Sequence, residues 1–179
     1  MGGIFSRKKK TTILMLGLDN AGKSSIVQRL LHMSAGAPLP ETIPTVGYDL
    51  REVRFKKLLF KIWDIGGQLE TRPVWRHYFS GMKGLVYVVD AAAEQRFNET
   101  TQVLSRVICD PQLSGVPLLV LANKSDLPGA KDSGTLCSLL NLPELGLQNR
   151  LNWHIDACSA KTGAGLESAF GWLSDNLKK

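Results

Sequence analysis

Three segments of the chain, residues 11–18, 84–90 and 116–122, are apolar at nearly every position. A strand with one wet face alternates apolar and polar side chains, so a run without alternation needs cover on both faces, as parallel strands of α/β sheets have. Between the second and third runs, residues 94–109 place Val103, Leu104, Val107 and Ile108 at helical spacing, which predicts a strand–helix–strand crossover. Residues 48–63 follow another pattern. Leu50, Val53 and Phe55 come before Lys56-Lys57, and Leu58, Phe60 and Ile62 come after, which predicts a hairpin. Downstream, a helix is expected at 131–140 after Gly129-Ala130, a last strand at 153–158 and an amphipathic helix at 165–177. The expected fold is three-layered α/β: a six-stranded, mostly parallel sheet with one antiparallel edge hairpin and helices on both faces.

Composition bounds this picture without changing it. The 179 residues suit one domain with its own core, 44% hydrophobic and 21% charged, with no internal repeat. Of the formal charge of +6, four units sit in Arg7, Lys8, Lys9 and Lys10, so residues 11–179 are nearly neutral. A nucleic-acid-binding domain spreads basic residues over a face with aromatics between them, and no such partner is expected here. Residues 1–10 therefore read as a separate basic segment ahead of the domain at 11–179. Cys109, Cys137 and Cys158 are odd in number and widely spaced, as free thiols of a reducing compartment would be. No run approaches the roughly 20 apolar residues of a membrane span.

The chemistry begins where the first strand ends. Gly17-Leu18-Asp19-Asn20-Ala21-Gly22-Lys23-Ser24 matches G-x-x-x-x-G-K-[ST] and leads, through Ser25, into a helix-like segment. Glycines at the two ends let the backbone aim N–H groups at an anion, Lys23 reaches the terminal phosphates, and the Ser24 hydroxyl suits a magnesium ion. The same spacing also occurs as a plain strand-to-helix turn; the strand before and helix after favour the phosphate site. This loop names no base. Asn123-Lys124-Ser125-Asp126, after the third apolar run, is an N-K-x-D pattern: Asp126 accepts from the ring N–H and amino group of guanine, and the Lys124 stem lies along the base. Ser159-Ala160-Lys161 then offers a backbone N–H to the guanine oxygen.

A third cluster, Trp63-Asp64-Ile65-Gly66-Gly67-Gln68, closes the hairpin. Asp64 is placed to hold magnesium through water, Gly67 to turn its N–H to the last phosphate, and Gln68 to orient an attacking water. Thr45, in a proline-bounded loop before the hairpin, is the expected second protein ligand of the metal. The bland alternatives, Asp64 as a helix cap and Gln68 as merely exposed, carry little weight beside the neighbouring motifs.

Together, G-L-D-N-A-G-K-S, P-T-V-G-Y, W-D-I-G-G-Q, R-P-V-W-R-H-Y-F and N-K-S-D resemble the Arf and Arf-like GTPases of the Ras superfamily, from Met1 to nearly the end of the chain. Asp19 within the phosphate loop and the W-D-I-G-G-Q run are the most discriminating elements. The resemblance implies a P-loop GTPase that cycles between GDP and GTP with Mg²⁺, loaded by exchange factors, switched off by GTPase-activating proteins and read by effectors in vesicle or protein trafficking. It also implies a monomer, peripheral on intracellular membranes such as Golgi or endosomes. Tyr48, Trp63 and Tyr78 match the family's aromatic effector triad; each alone would read as a half-buried packing residue. Asp19 near the terminal phosphate fits slow intrinsic hydrolysis.

Met1-Gly2-Gly3-Ile4-Phe5-Ser6 satisfies M-G-x-x-x-[ST], the pattern for myristoylation of Gly2. The long amphipathic helix that follows in the family has only Ile4 and Phe5 to build on here. One myristoyl chain binds bilayers with a constant of about 10⁴ M⁻¹. Four basic residues at about 1 kcal/mol each would supply the second signal. A solvated tail with an acetylated glycine is the rival reading. Against the GTPase stand a nucleotide-locked binding module, for which turnover does not matter, and an ATP-dependent kinase or ATPase, which Asp126 disfavours.

Overall fold

The computed structural model describes residues 9–56 and 58–177; the Gly2 motif lies outside them. The apolar runs form the centre of a six-stranded sheet in the order β2-β3-β1-β4-β5-β6. Its strands are β1 (Lys9–Leu16), β2 (Tyr48–Phe55), β3 (Leu58–Ile65), β4 (Gly84–Asp90), β5 (Leu118–Asn123) and β6 (Trp153–Ala157). The hairpin pairs β2 with β3 antiparallel, from Tyr48↔Ile65 to Phe55↔Leu58, and every other neighbouring pair is parallel. That is the predicted architecture.

Near-continuous apolarity has the expected cause. Leu14 and Leu16 of β1, Tyr87 and Val89 of β4 and Val120 of β5 enter one core, packed with Trp75, Leu104 and Leu136. Their neighbours Ile13, Met15, Val86, Val88 and Leu121 enter the other, packed with Ile26, Leu30, Phe170 and Leu173. Helix α1 (Lys23–Ala35) and α5 (Leu166–Asn176) supply the second core; α2 (Phe97–Ile108), α3 (Ser133–Leu139) and α4 (Leu142–Asn149) supply the first. A long 3₁₀ segment, Leu69–Tyr78, links the hairpin to β4 and buries Trp75.

Boundaries differ from expectation where local chemistry competes. β1 begins at Lys9, not Thr11, because Lys9 and Lys10 pair with Leu58 and Leu59 along β3. The last two residues assigned to the basic segment therefore belong to the sheet, and Lys10 Nζ forms an ion pair with Glu52 at 3.0 Å. The strand stops at Leu16 because Gly17 already turns the chain, at φ 146°.

What the topology does for function follows from β1. From its carboxyl end the chain crosses through α1 to the β2–β3 hairpin on one side, while β4 pairs on the other, so the loop after β1 opens into the crevice where strand order reverses.

Candidate functional site

Residues 17–22 bridge β1 and α1 at that crevice, and α1 starts at Lys23 with its first N–H groups facing the loop. Gly22 holds φ 94°, and a Cβ there would stand 2.3 Å from Asn123 Nδ2, so the turn requires glycine twice over. The Lys23 side chain curls back and donates to the carbonyls of Gly17 and Leu18, both at 2.9 Å. Burial pulls its ammonium down to about 8, against the attraction of Asp64 and Asp19. A buried ammonium held by two carbonyls fits an anion in the loop as its counter-charge. A cavity of about 110 Å³ opens there, lined among others by Asp19, Lys23, Ser24, Thr45, Gly67 and Gln68.

A second cavity of about 380 Å³ adjoins the first through Gly22, Ser25 and Thr42 and reaches Asn123, Lys124, Asp126, Ala160 and Lys161. The two loops that make it are stitched together by Asn123, which is buried. Its Nδ2 donates to the Ala21 carbonyl at 2.8 Å and its Oδ1 accepts from Ala160 N–H at 3.0 Å. One amide therefore joins the phosphate loop, the end of β5 and the loop after β6. Ser159 Oγ donates to Asp126 Oδ1 at 2.6 Å, fixing that exposed carboxylate and holding it below the ordinary aspartate range. Lys124 adopts φ 66°, and its ammonium sits 2.7 Å from Asp90 Oδ2, which leaves the stem along the cavity. Arg29 of α1 pins the Ala160 carbonyl from below at 2.7 Å and also reaches that of Lys161. The sequence reading passed over Arg29: an arginine on a helix carries no signal of a loop 131 positions away.

Three oxygen-bearing side chains from separate elements converge beside Lys23. Ser24 Oγ donates to Asp64 Oδ2 at 2.5 Å and lies 2.8 Å from Thr45 Oγ1. Burial raises the Asp64 carboxyl above its usual range, with Ser24 and Lys23 opposing the shift. Its Oδ1 is buried without a hydrogen-bond partner among the described residues. An orphaned carboxylate oxygen beside two hydroxyls is a hard, all-oxygen donor set, and it fits a magnesium ion.

The turn after β3 is held by the 3₁₀ segment. The Gly66 carbonyl accepts from Thr71 Oγ1 at 2.7 Å and from Trp75 Nε1 at 2.9 Å, while Gly67's accepts from Arg72 Nε at 3.0 Å and Asp19 N–H at 3.2 Å. Gly67 lies so close to the phosphate loop that a Cβ would meet the Gly17 carbonyl oxygen at 2.4 Å and Asp19 N at 2.5 Å. Gln68 follows, partly exposed at the cavity wall. The sequence reading quoted this arginine and tryptophan within a motif and gave them no role.

Tyr48, Trp63 and Tyr78 are brought together, with ring centroids 5.1, 5.5 and 5.6 Å apart and Tyr48 standing in solvent. Ile43 and Val46 are more than four-fifths exposed nearby in sequence. Asp19, Asn20, Gly22 to Ser25, Thr45, Gly67, Gln68, Asn123, Lys124, Asp126, Ala160 and Lys161 line the two adjoining cavities, whereas Gly17, Leu18, Ala21, Asp64 and Ser159 stand behind those walls.

The architecture is similar to that of the Arl6 BBS3 small GTPase from Trypanosoma brucei, whose structure contains the nucleotide analogue GppNp. The match has a TM-score of 0.83 and 27% sequence identity and covers 93% of this chain and 96% of that one. The model of the ADP-ribosylation factor family matches residues 1–177. On that match, with the adjoining cavities as its structural counterpart, the chain belongs to the Arf family of small GTPases: a GTP-binding switch that hydrolyses GTP.

Proposed function

We propose that the adjoining cavities form one guanine-nucleotide site. Residues Gly17 to Ser25 would take the phosphates, and Asn123, Lys124, Asp126 and Ser159 to Lys161 the base. The convergence of part-buried Ser24 and Thr45 on buried Asp64 and Lys23 carries this reading, because no packing need places a buried carboxylate and a buried ammonium beside two hydroxyls at a cavity wall. Asp126, oriented by Ser159, presents two acceptor oxygens that match guanine's adjacent N–H donors and mismatch adenine's edge.

Magnesium bound to the Ser24 and Thr45 hydroxyls, with Asp64 acting through water, would neutralise charge on the phosphate tail. The chain's own residues do the rest. Lys23 balances the terminal phosphates; Gly67, its carbonyl held by Arg72, is left to direct its N–H towards the last one; Gln68 orients water. The water oxygen bonds to the γ-phosphorus, the oxygen bridging to the β-phosphate leaves with the bonding pair, and the water's proton ends on phosphate.

Thr45 lies in the exposed loop before β2, so the γ-phosphate would order a segment that GDP releases. The Tyr48–Trp63–Tyr78 cluster and the exposed Ile43 and Val46 offer the apolar face on which effectors would sense that change. Exchange factors and activating proteins would act on the same side. Gly2 myristoylation with the basic residues after it would hold the chain on intracellular membranes in trafficking. Lys10, being paired to Glu52, contributes less to that attraction than an unpaired lysine.

The test is binding of fluorescent GTP and ATP analogues with magnesium, followed by single-turnover phosphate release. The chain is expected to prefer the guanine analogue by at least about 100-fold, the loss set by two unmade hydrogen bonds to a charged acceptor. Gln68→Leu is expected to slow activated hydrolysis about 100-fold while GTP affinity changes little. Equal affinity for both nucleotides would refute the site, and native turnover by the variant would refute the role of Gln68.

A further inference from the structure

Asp19 is the one acidic residue lining the phosphate cavity among the described residues, and it stands where an anion is least welcome. The turn that carries Gly67 and Gln68 abuts it, with Asp19 N–H donating to the Gly67 carbonyl at 3.2 Å, and Asp19 lines the same cavity as Gly67 and Gln68, the end read above as holding the terminal phosphate. A carboxylate there repels the third phosphate unless something holds and neutralises it.

Two arginines do so. Arg96, just before α2, donates from Nη2 to Asp19 Oδ1 at 2.8 Å and from Nη1 to the Asp19 backbone carbonyl at 2.9 Å. This two-point grip fixes carboxylate and loop peptide together, and it holds the Asp19 carboxyl below the usual aspartate range. Arg72 Nη2 approaches the same carboxylate oxygen at 3.6 Å. Glu99 of α2 binds both guanidiniums, Arg72 at 2.8 Å and Arg96 at 3.1 Å. The four charges sum to zero in a ring that joins the phosphate loop, the 3₁₀ segment and α2. Side-chain exposure rises from 12% at Arg72 to 28% at Arg96, 36% at Asp19 and 40% at Glu99, so the ring is part-buried around Arg72 and less screened than a fully solvated surface pair. Arg72 also donates to the Gly67 carbonyl at 3.0 Å, which carries the ring into the turn that senses the last phosphate.

We infer that Arg96 is a positioning residue for GTP: braced by Glu99 and Arg72, it draws the Asp19 carboxylate off the terminal-phosphate position, so that the chain accepts a triphosphate despite an anion in its phosphate loop. The inference rests on the phosphate-site reading above. Its consequence is selective, because GDP has no third phosphate to meet Asp19. Loss of the grip weakens GTP and spares GDP, and removing the Asp19 charge cancels the loss.

The experiment measures dissociation of fluorescent GTP and GDP analogues from the full chain with magnesium. Arg96→Ala is expected to release the GTP analogue about tenfold faster and the GDP analogue less than about threefold faster. Arg96→Ala combined with Asp19→Asn is expected to release GTP within about threefold of Asp19→Asn alone. Glu99→Gln, which loosens the brace without removing a guanidinium, is expected to act in the same direction and more weakly, and it serves should Arg96→Ala fail to fold. Equal acceleration for both nucleotides, or no rescue by Asp19→Asn, overturns the positioning role and leaves the nucleotide site standing. A parent chain that binds neither analogue overturns the site and this inference with it.

Discussion

β5 buries all six of its residues, Leu118–Asn123, whereas β2, at the opposite side of the sheet, buries only Val53 of its eight. The loop proposed to read the base grows from the first kind of strand, and Asn123 ties it to residues 17–22 and to the loop after β6. Thr45, proposed to sense the last phosphate, precedes the second kind of strand in an exposed loop, while Asp64 in β3, the hairpin partner, and Gly67 just beyond it are buried. A switch needs this asymmetry. In the proposed switch the side that identifies the nucleotide would stay the same in both states, while the Thr45 loop would open at low cost, since poorly buried segments open first.

Core truncations on the two sides test that contrast with the largest expected effects. Leu121→Ala removes a wholly buried side chain from β5 and is expected to cost about 2–5 kcal/mol in denaturant unfolding. Leu50→Ala in β2, where the side chain is half-buried, is expected to cost about 1 kcal/mol or less. Similar losses from both would remove the asymmetry. A smaller effect concerns the charge ring that spans the two sides. Because Arg96 lowers the Asp19 carboxyl below its reference value of 3.8, the ionised form stabilises the fold above that pH. The contribution is lost as pH falls through the lowered folded value. The parent is therefore expected to melt slightly above Asp19→Asn at neutral pH, with the gap closing below pH 3.8 and shrinking at high salt. A gap that ignores pH would mean that the carboxylate does not feel the ring.

The strands buried on both faces were legible because burial forbids polar residues at either parity, and that leaves an unmistakable apolar run. The motif loops were legible because phosphate and guanine each demand particular side chains at close spacing. Helix α4 went unread, since Pro143 and Gly146 interrupt the helical pattern. Both have local reasons: Pro143 falls in the first turn, where no N–H is required, and a Cβ on Gly146 would lie 2.2 Å from Trp153 Nε1. The 3₁₀ segment was equally obscure, with Pro73 inside it and Leu69 and Val74 exposed. The roles of Arg29, Arg72 and Arg96 were beyond reach for another reason. Each acts on backbone or carboxylate groups that tertiary folding brings near, Arg72 on Glu99 27 positions away and Arg96 on Asp19 77 positions away.

In the proposed division of labour, Asp126, held by Ser159, reads the base beside fully buried β5 while the Thr45 loop responds to the phosphates. Exchange to asparagine replaces one acceptor with an amide donor, and xanthine differs from guanine by a carbonyl in place of the amino group. Competition between guanosine and xanthosine triphosphates against a fluorescent nucleotide, in the parent and in Asp126→Asn, tests the claim directly. Transfer of preference to the xanthine nucleotide, with magnesium-dependent binding retained, is the predicted result; an unchanged preference for guanine would contradict it.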